Sequence, residues 1–193
     1  MRGPKISFRM HHIYTTPAFV IHSSPHGEAG KFLLLFTKDF GMIGATAQGI
    51  RLGTSKLRYH MQDFNFSNVS VVRGKEVWRI TGAHELEHAP STAVHLKILK
   101  LLKRLLQGED KNEKLFEILE ELYRTDVKEE DFEYVECLTV LRILNTLGYV
   151  RAINQFDQFF ENNLISKEII EKVKAFKPDI VKVINQALKE SHL

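Results

Sequence analysis

The stretch Ala47–Phe64, AQGIRLGTSKLRYHMQDF, holds two glycines, a serine and the cations Arg51, Lys56 and Arg58, with His60 beside them and no acid before Asp63. It directly follows an apolar, strand-like run. Three readings suit such a segment: a solvated turn, a phosphate cradle, or part of a surface for a long polyanion. Within it, TSKLRYHMQ fits one or two turns of helix capped by Thr54 or Ser55.

The neighbouring sequence gives the segment its place in a fold. AFVIHSS, KFLLLFT, MIGATAQGI, FNFSNVSVVRG and EVWRITGA are short, rich in Phe, Val and Ile, and separated by Gly, Pro, Asp and Ser, so they read as five strands. SPHGEAG reads as a loop, and KDFG as a tight turn with Gly41 at positive φ. Phe64, Phe66, Val69 and Val71 break strict alternation by one residue, which predicts a bulge or sharp bend. Five strands with an insertion between the third and fourth favour a small barrel or sandwich.

Beyond Pro90 the period changes from two to three and four. STAVHLKILKLLKRLLQG places Val94, Ile98, Leu101, Leu102 and Leu105 on one helical face. NEKLFEILEELYRT repeats the pattern, and EEDFEYVECLTVLRILNTLGY makes a longer helix closed by Gly148. SKEIIEKVKAF and PDIVKVINQALKES read as a terminal helical pair, with Pro178 in the first turn of the second. The chain is therefore α+β, with a β-rich domain at 1–88 and an all-α domain at 89–193 that packs on it.

Composition narrows the function. The 193 residues are 44% hydrophobic and 26% charged, which is ordinary for a globular protein. No apolar run reaches the roughly 20 residues of a membrane span, and the start lacks the apolar core of a secretory signal. The single cysteine, Cys137, forms no internal disulfide and builds no Cys-rich zinc site. These features predict a cytoplasmic protein without membrane contact. Charge is uneven: residues 1–88 carry 11 Lys/Arg against 6 Asp/Glu, and residues 89–193 carry 16 against 18. The β-rich half is basic and the helical half mildly acidic.

HELEH, His84–His88, fits the H-E-x-x-H of zinc proteases, which needs both His on one helical face. Here it continues a strand pattern, and Pro90 disfavours helical geometry at Ala89, so it reads as a strand-to-helix junction. MHHIY sets adjacent histidines on opposite faces of a strand. Cys137 reads as a small buried hydrophobe, and SPHGEAG lacks the spacing of a phosphate loop. No catalytic residue, metal or cofactor is expected. Two cationic features remain. Lys31 and Lys38 flank the second strand and are expected to join Arg51, Lys56 and Arg58 on one face. Lys97, Lys100 and Arg104 form a stripe opposite the leucines of the first long helix; it keeps an outer helical face wet, or suits an acidic protein tail.

The order of features from Thr15 to Glu85 resembles the bacterial RecO family of recombination mediators. The likeness rests on the first strand, the Gly27–Glu28 loop, the T-x-x-x-G turn of Thr37–Gly41, and the G-x-R-x-x-x-S segment of Gly49–Ser55. It resumes in LFEILEELYRTDVKEEDFEYVECLTVLRILNTLGYV, with the L-x-x-L-G-Y helix end at Leu144–Tyr149. The resemblance implies a five-stranded OB-fold barrel followed by a helical domain. It also implies non-sequence-specific binding of single- and double-stranded DNA, annealing of complementary strands, nucleoid association, and cooperation with single-strand-binding protein and RecR. On that reading Lys31, Lys38, Arg51, Lys56 and Arg58 meet DNA, while Lys97, Lys100 and Arg104 receive the acidic tail of single-strand-binding protein. The rival is an adaptor that binds protein partners through its helices. The family often has Lys where this chain has Gln48, and GYVRAINQFDQFFENN has no Cys where many members carry a four-Cys zinc module. The last helices match loosely, and the likeness works equally well from Met10 as from the first residue.

Overall fold

In the computed structural model, residues 12–87, 93–106, 108–151, 155–162 and 164–190 are described. Five strands, β1 (Ile13–His26), β2 (Gly30–Thr37), β3 (Gly41–Ala47), β4 (Phe66–Arg73) and β5 (Trp78–Glu87), close into a barrel in the order β1-β2-β3-β5-β4. All pairings are antiparallel except the closure of β3 on β5, through Ala45–Trp78 and Thr46–Arg79. With a one-turn helix, α1 (Leu57–His60), between the third and fourth strands, this is the OB-fold that the family resemblance implied.

The first strand is longer than its apolar run because it serves two neighbours. Ile13–Phe19 pair with β4, and Ala18–His26 pair with β2, with a register shift between Val20 and His22 where the strand bends. The expected SPHGEAG loop therefore shrinks to Gly27–Ala29. At the next turn Gly41 has φ 66°, as anticipated. A Cβ there would also lie 2.3 Å from the Asp110 carbonyl oxygen, so only glycine fits.

Alternation along the strands builds two cores. Val20, Leu33, Leu35, Ile43, Ala45, Val69 and Val71 fill the barrel. Phe19, Ile21, Phe36, Met42 and Phe66 face outward and are covered by helices. The break in alternation between Phe66 and Val69 is thus a change of face: Phe66 stacks on Phe19 with centroids 4.3 Å apart, outside the barrel. The change begins at Phe64, which has φ 75°, a sparsely populated conformation for a bulky residue. Its N–H donates to the Val20 carbonyl at 2.7 Å and its carbonyl accepts from the Tyr123 hydroxyl at 2.6 Å.

The helices are α2 (Ala93–Leu105), α3 (Glu113–Arg124), α4 (Phe132–Thr146) and α5 (Lys167–Glu190). Asn112 caps α3 by accepting from the Leu115 N–H at 3.0 Å. α2 and α3 lay Val94, Ile98, Leu115, Phe116, Leu119 and Tyr123 on the outer aromatic face of the barrel. The two halves therefore share one core. The expected boundary at residue 88 lies in 88–92, outside the described residues.

Two sequence expectations fail. The terminal helical pair is one helix: Pro178 lies inside α5. Val173, Ile180, Ile184 and Ala187 stay buried on one stripe across it, and their shared burial holds the helix together although Pro178 cannot donate a backbone bond. Pro178 itself is exposed, on the solvent side. The cap of α1 is not Thr54 or Ser55; Lys56 holds that position and no side chain caps the turn. No helix among the described residues is long and apolar enough to cross a membrane.

Candidate nucleic-acid interface

The chain from Gln48 to Asn65 seals one end of the barrel. Ile50 and Met61 are buried in the barrel core, with Leu57 packed against it. Leu57 and Met61 are four apart and face inward, so Arg58 and Tyr59 between them turn to solvent. Arg51 and Lys56, ahead of that turn, are exposed as well. The segment is held at both ends. The Arg51 N–H donates to the Ala29 carbonyl at 2.9 Å, while the Ser67 hydroxyl donates to the His60 carbonyl at 2.6 Å. Buried Asn65 donates its side-chain amide to the Tyr59 carbonyl at 3.0 Å. The apolar inner row thus anchors a cationic outer row on a rigid barrel.

Among the described residues, none of Lys31, Arg51, Lys56 and Arg58 forms an ion pair. Asp63, the first acid after the run, turns to His22, with 3.8 Å between Nδ1 and the carboxylate. Arg58 bonds instead to its neighbour, Nη2 donating to the Tyr59 hydroxyl at 2.8 Å, with its guanidinium 4.9 Å from the ring centroid. Lys31 starts β2 at the same end of the barrel and donates to the Ser23 hydroxyl at 3.2 Å. An open cleft of about 330 Å³ lies between the β1–β2 turn and the end of β3, where exposed Gln48 sits with Glu28.

Lys38 does not join them. It follows β2 at the opposite end of the barrel, seven residues and roughly 23 Å of strand from Lys31. There its neighbour in charge is Glu113, whose carboxyl it helps, after Lys111, to hold below the ordinary range. The expected convergence of Lys31 and Lys38 on one face is not formed, because an odd separation and a full strand length divide them.

That opposite end is closed by aromatic rings. Trp78, only 3% exposed, lies 4.9 Å from Phe40 and 5.9 Å from Tyr14, centroid to centroid. Its indole N–H donates to Glu109 at 3.0 Å, and Glu109 also pairs with Arg73 at 3.1 Å. Phe64, Phe66 and Trp78, three aromatics with chemistry suited to stacking on bases, are core residues. Phe66 and Trp78 are buried, and Phe64 is half-buried against the helices. Sequence reasoning passed over Tyr59, 58% exposed, although the inward spacing of Leu57 and Met61 was the signal for it.

The second stripe divides as well. Lys97 is paired with Glu136 of α4 at 2.6 Å, and that bond raises its pKa. Lys100 and Arg104 remain exposed on α2, with Lys103 beside them. His84 stands in β5 opposite Asn68, so the HELEH run lacks the helical geometry of a zinc site; His88 lies outside the described residues. Cys137 is half-buried against the second helical core, and burial pushes its thiol up.

The sequence profile of the recombination protein O N-terminal domain matches residues 10–87, which include all five strands of the barrel. DNA repair protein RecO of Dehalococcoides mccartyi (strain ATCC BAA-2266 / KCTC 15142 / 195) is 29% identical over 149 residues, covering 72% of this chain and 57% of that protein. Its counterpart in Heliobacterium modesticaldum is 30% identical over 146 residues, 71% of this chain and 52% of the relative. That of Polynucleobacter necessarius subsp. necessarius is 29% identical over 156 residues, 76% and 63% of the two chains. The chain spans about half the length of the curated relatives it matches. The similarity runs through the barrel into the helices.

Proposed function

The chain belongs to the RecO family of DNA repair proteins, and from that premise we propose that it binds DNA without sequence preference and anneals complementary strands, using the sealed end of its barrel. The observation that carries this reading is the set of exposed Arg51, Lys56 and Arg58, with Lys31 at its edge, none of them ion-paired among the described residues.

Annealing requires two polyanions to be brought together and the duplex then released. Arg and Lys neutralise phosphates and release their counterions, which supplies affinity to any sequence and a strong dependence on salt. Such contacts position a strand without reading it, so its base edges stay free to find a complement. The five-residue surface read from the sequence is thereby reduced to four, with Lys38 outside it.

Annealing also takes place on strands already coated by single-strand-binding protein. We assign the acidic tail of that protein to Lys100 and Arg104 on α2, the two cations of the stripe that form no ion pair among the described residues. Cooperation with RecR, and work in homologous recombination at the nucleoid, belong to the same proposal. The deciding experiment is annealing of complementary oligonucleotides coated with single-strand-binding protein. The parent chain is expected to accelerate it, and Lys100→Glu with Arg104→Glu to abolish that acceleration while leaving bare strands annealed as before. A parent chain without effect on either substrate would make the protein an adaptor.

A further inference from the structure

We propose that Tyr59 is a stacking platform for an unstacked nucleobase, and that it makes the interface selective for single strands and lets go of duplex. The inference rests on the cationic end of the barrel being the DNA surface, and adds a contact that phosphate neutralisation does not supply.

Three observations place a base there. Tyr59 is a large aromatic left 58% exposed, directly after Arg58 on the short turn that also follows exposed Lys56. One side of its ring faces the Arg58 guanidinium, 4.9 Å from the centroid, and its hydroxyl is engaged by the same group at 2.8 Å. The mount is fixed, since the Tyr59 carbonyl is held by buried Asn65 and the next turn is anchored by Met61 in the barrel core. A ring held in this way loses little freedom when a flat ligand lands on it. The adjoining cations hold the phosphates that flank such a ligand.

Stacking on an aromatic ring is indifferent to sequence because every base has a π-face. It does discriminate strandedness, because a paired base must leave its stack to reach the ring. As complementary strands zip together, bases withdraw from Tyr59 and the site keeps only its phosphate contacts. The platform thus favours the substrates of annealing over its product.

The test uses the whole chain with fluorescently labelled oligothymidine and a labelled duplex of equal length, titrated across a salt series. Tyr59→Ala is expected to bind the single strand about tenfold more weakly, with an unchanged salt slope and unchanged duplex affinity. Tyr59→Phe keeps the ring and should match the parent; Tyr59→Leu keeps apolar bulk without a ring and should match Tyr59→Ala. Full single-strand affinity in Tyr59→Ala, an equal loss on duplex, or a loss in Tyr59→Phe would overturn the proposal. If the parent itself shows a steep salt slope while Tyr59→Ala changes nothing, the platform falls and the DNA surface stands. A parent affinity indifferent to salt removes both.

Discussion

The two ends of the barrel carry the same kinds of side chain and put them to opposite uses. At one end Arg58 lies against Tyr59 and both are exposed; at the other Arg73 lies 5.2 Å from the Trp78 ring and its charge is met by Glu109. The difference comes from the helical half. The connection from α2 to α3 brings Glu109 and Asp110 to the aromatic end, where Gly41 touches Asp110. At the cationic end Asp63 turns to His22, and Glu85 accepts from the Asn65 amide at 3.4 Å. An arginine beside an aromatic ring is thus a structural clasp where an acid of the chain reaches it, as at Arg73, whereas among the described residues Arg58 has no such partner.

The sharpest break of this comparison is Trp78→Ala. It empties the closed end of its largest ring, and the loss of packing should cost about 3–5 kcal/mol of stability, read by chemical denaturation. DNA affinity at the other end, measured well below the melting temperature, should not change. A parallel loss of affinity would mean that the two ends are not separate devices.

Next in size is the double variant Arg51→Ala/Lys56→Ala. Each lost phosphate contact on a single strand should reduce the log–log salt slope by about 0.7, so the pair should flatten it by about 1.4 while leaving the denaturation curve in place. Both side chains are exposed, and exposed charges of this kind contribute little to folding.

A smaller effect sharpens the role of the shared core. His95 of α2 is buried, its Nε2–H donating to the Leu122 carbonyl at 3.2 Å and its ring edge-on to Tyr123 at 4.9 Å. Burial lowers its pKa below the ordinary 6.5, against a smaller opposing effect of that bond. The unfolded chain therefore takes up the proton first as pH falls through 6.5. Stability present above that pH is lost below it, down to the folded pKa, by at most about 1.4 kcal/mol per pH unit. His95→Gln should flatten this part of a stability–pH profile. An unchanged acid limb would assign the loss to other groups.

The smallest expected effect belongs to Arg73→Ala. Its pair with Glu109 is substantially exposed, so the change should cost no more than about 1 kcal/mol and leave the salt slope where it was. A slope reduced as far as in an Arg51→Ala chain would show that the closed end also meets DNA.

Local pattern alone was enough for the five strands, the helices after Pro90 and the place of the cationic segment. Period-two and period-three-to-four burial are written in neighbouring residues, and so was the fault between Phe66 and Val69. What lay beyond the sequence were the relations between distant residues. Lys97 meets Glu136, 39 positions away, and Trp78 meets Glu109, 31 positions away, so the freedom of a cation is decided by where another element ends. Lys31 and Lys38 looked like partners because they bracket one strand, yet a strand keeps its two ends apart by its length. Pro178 marks a helix start by local rule, and only the buried stripe from Val173 to Ala187 overrides it. The sequence by itself determined the five strands and the helical period after Pro90, because backbone geometry and burial period are local. Only the tertiary structure decided which cations and which aromatic ring stay exposed and unneutralised among the described residues, because neutralisation and burial depend on what the rest of the chain brings against them.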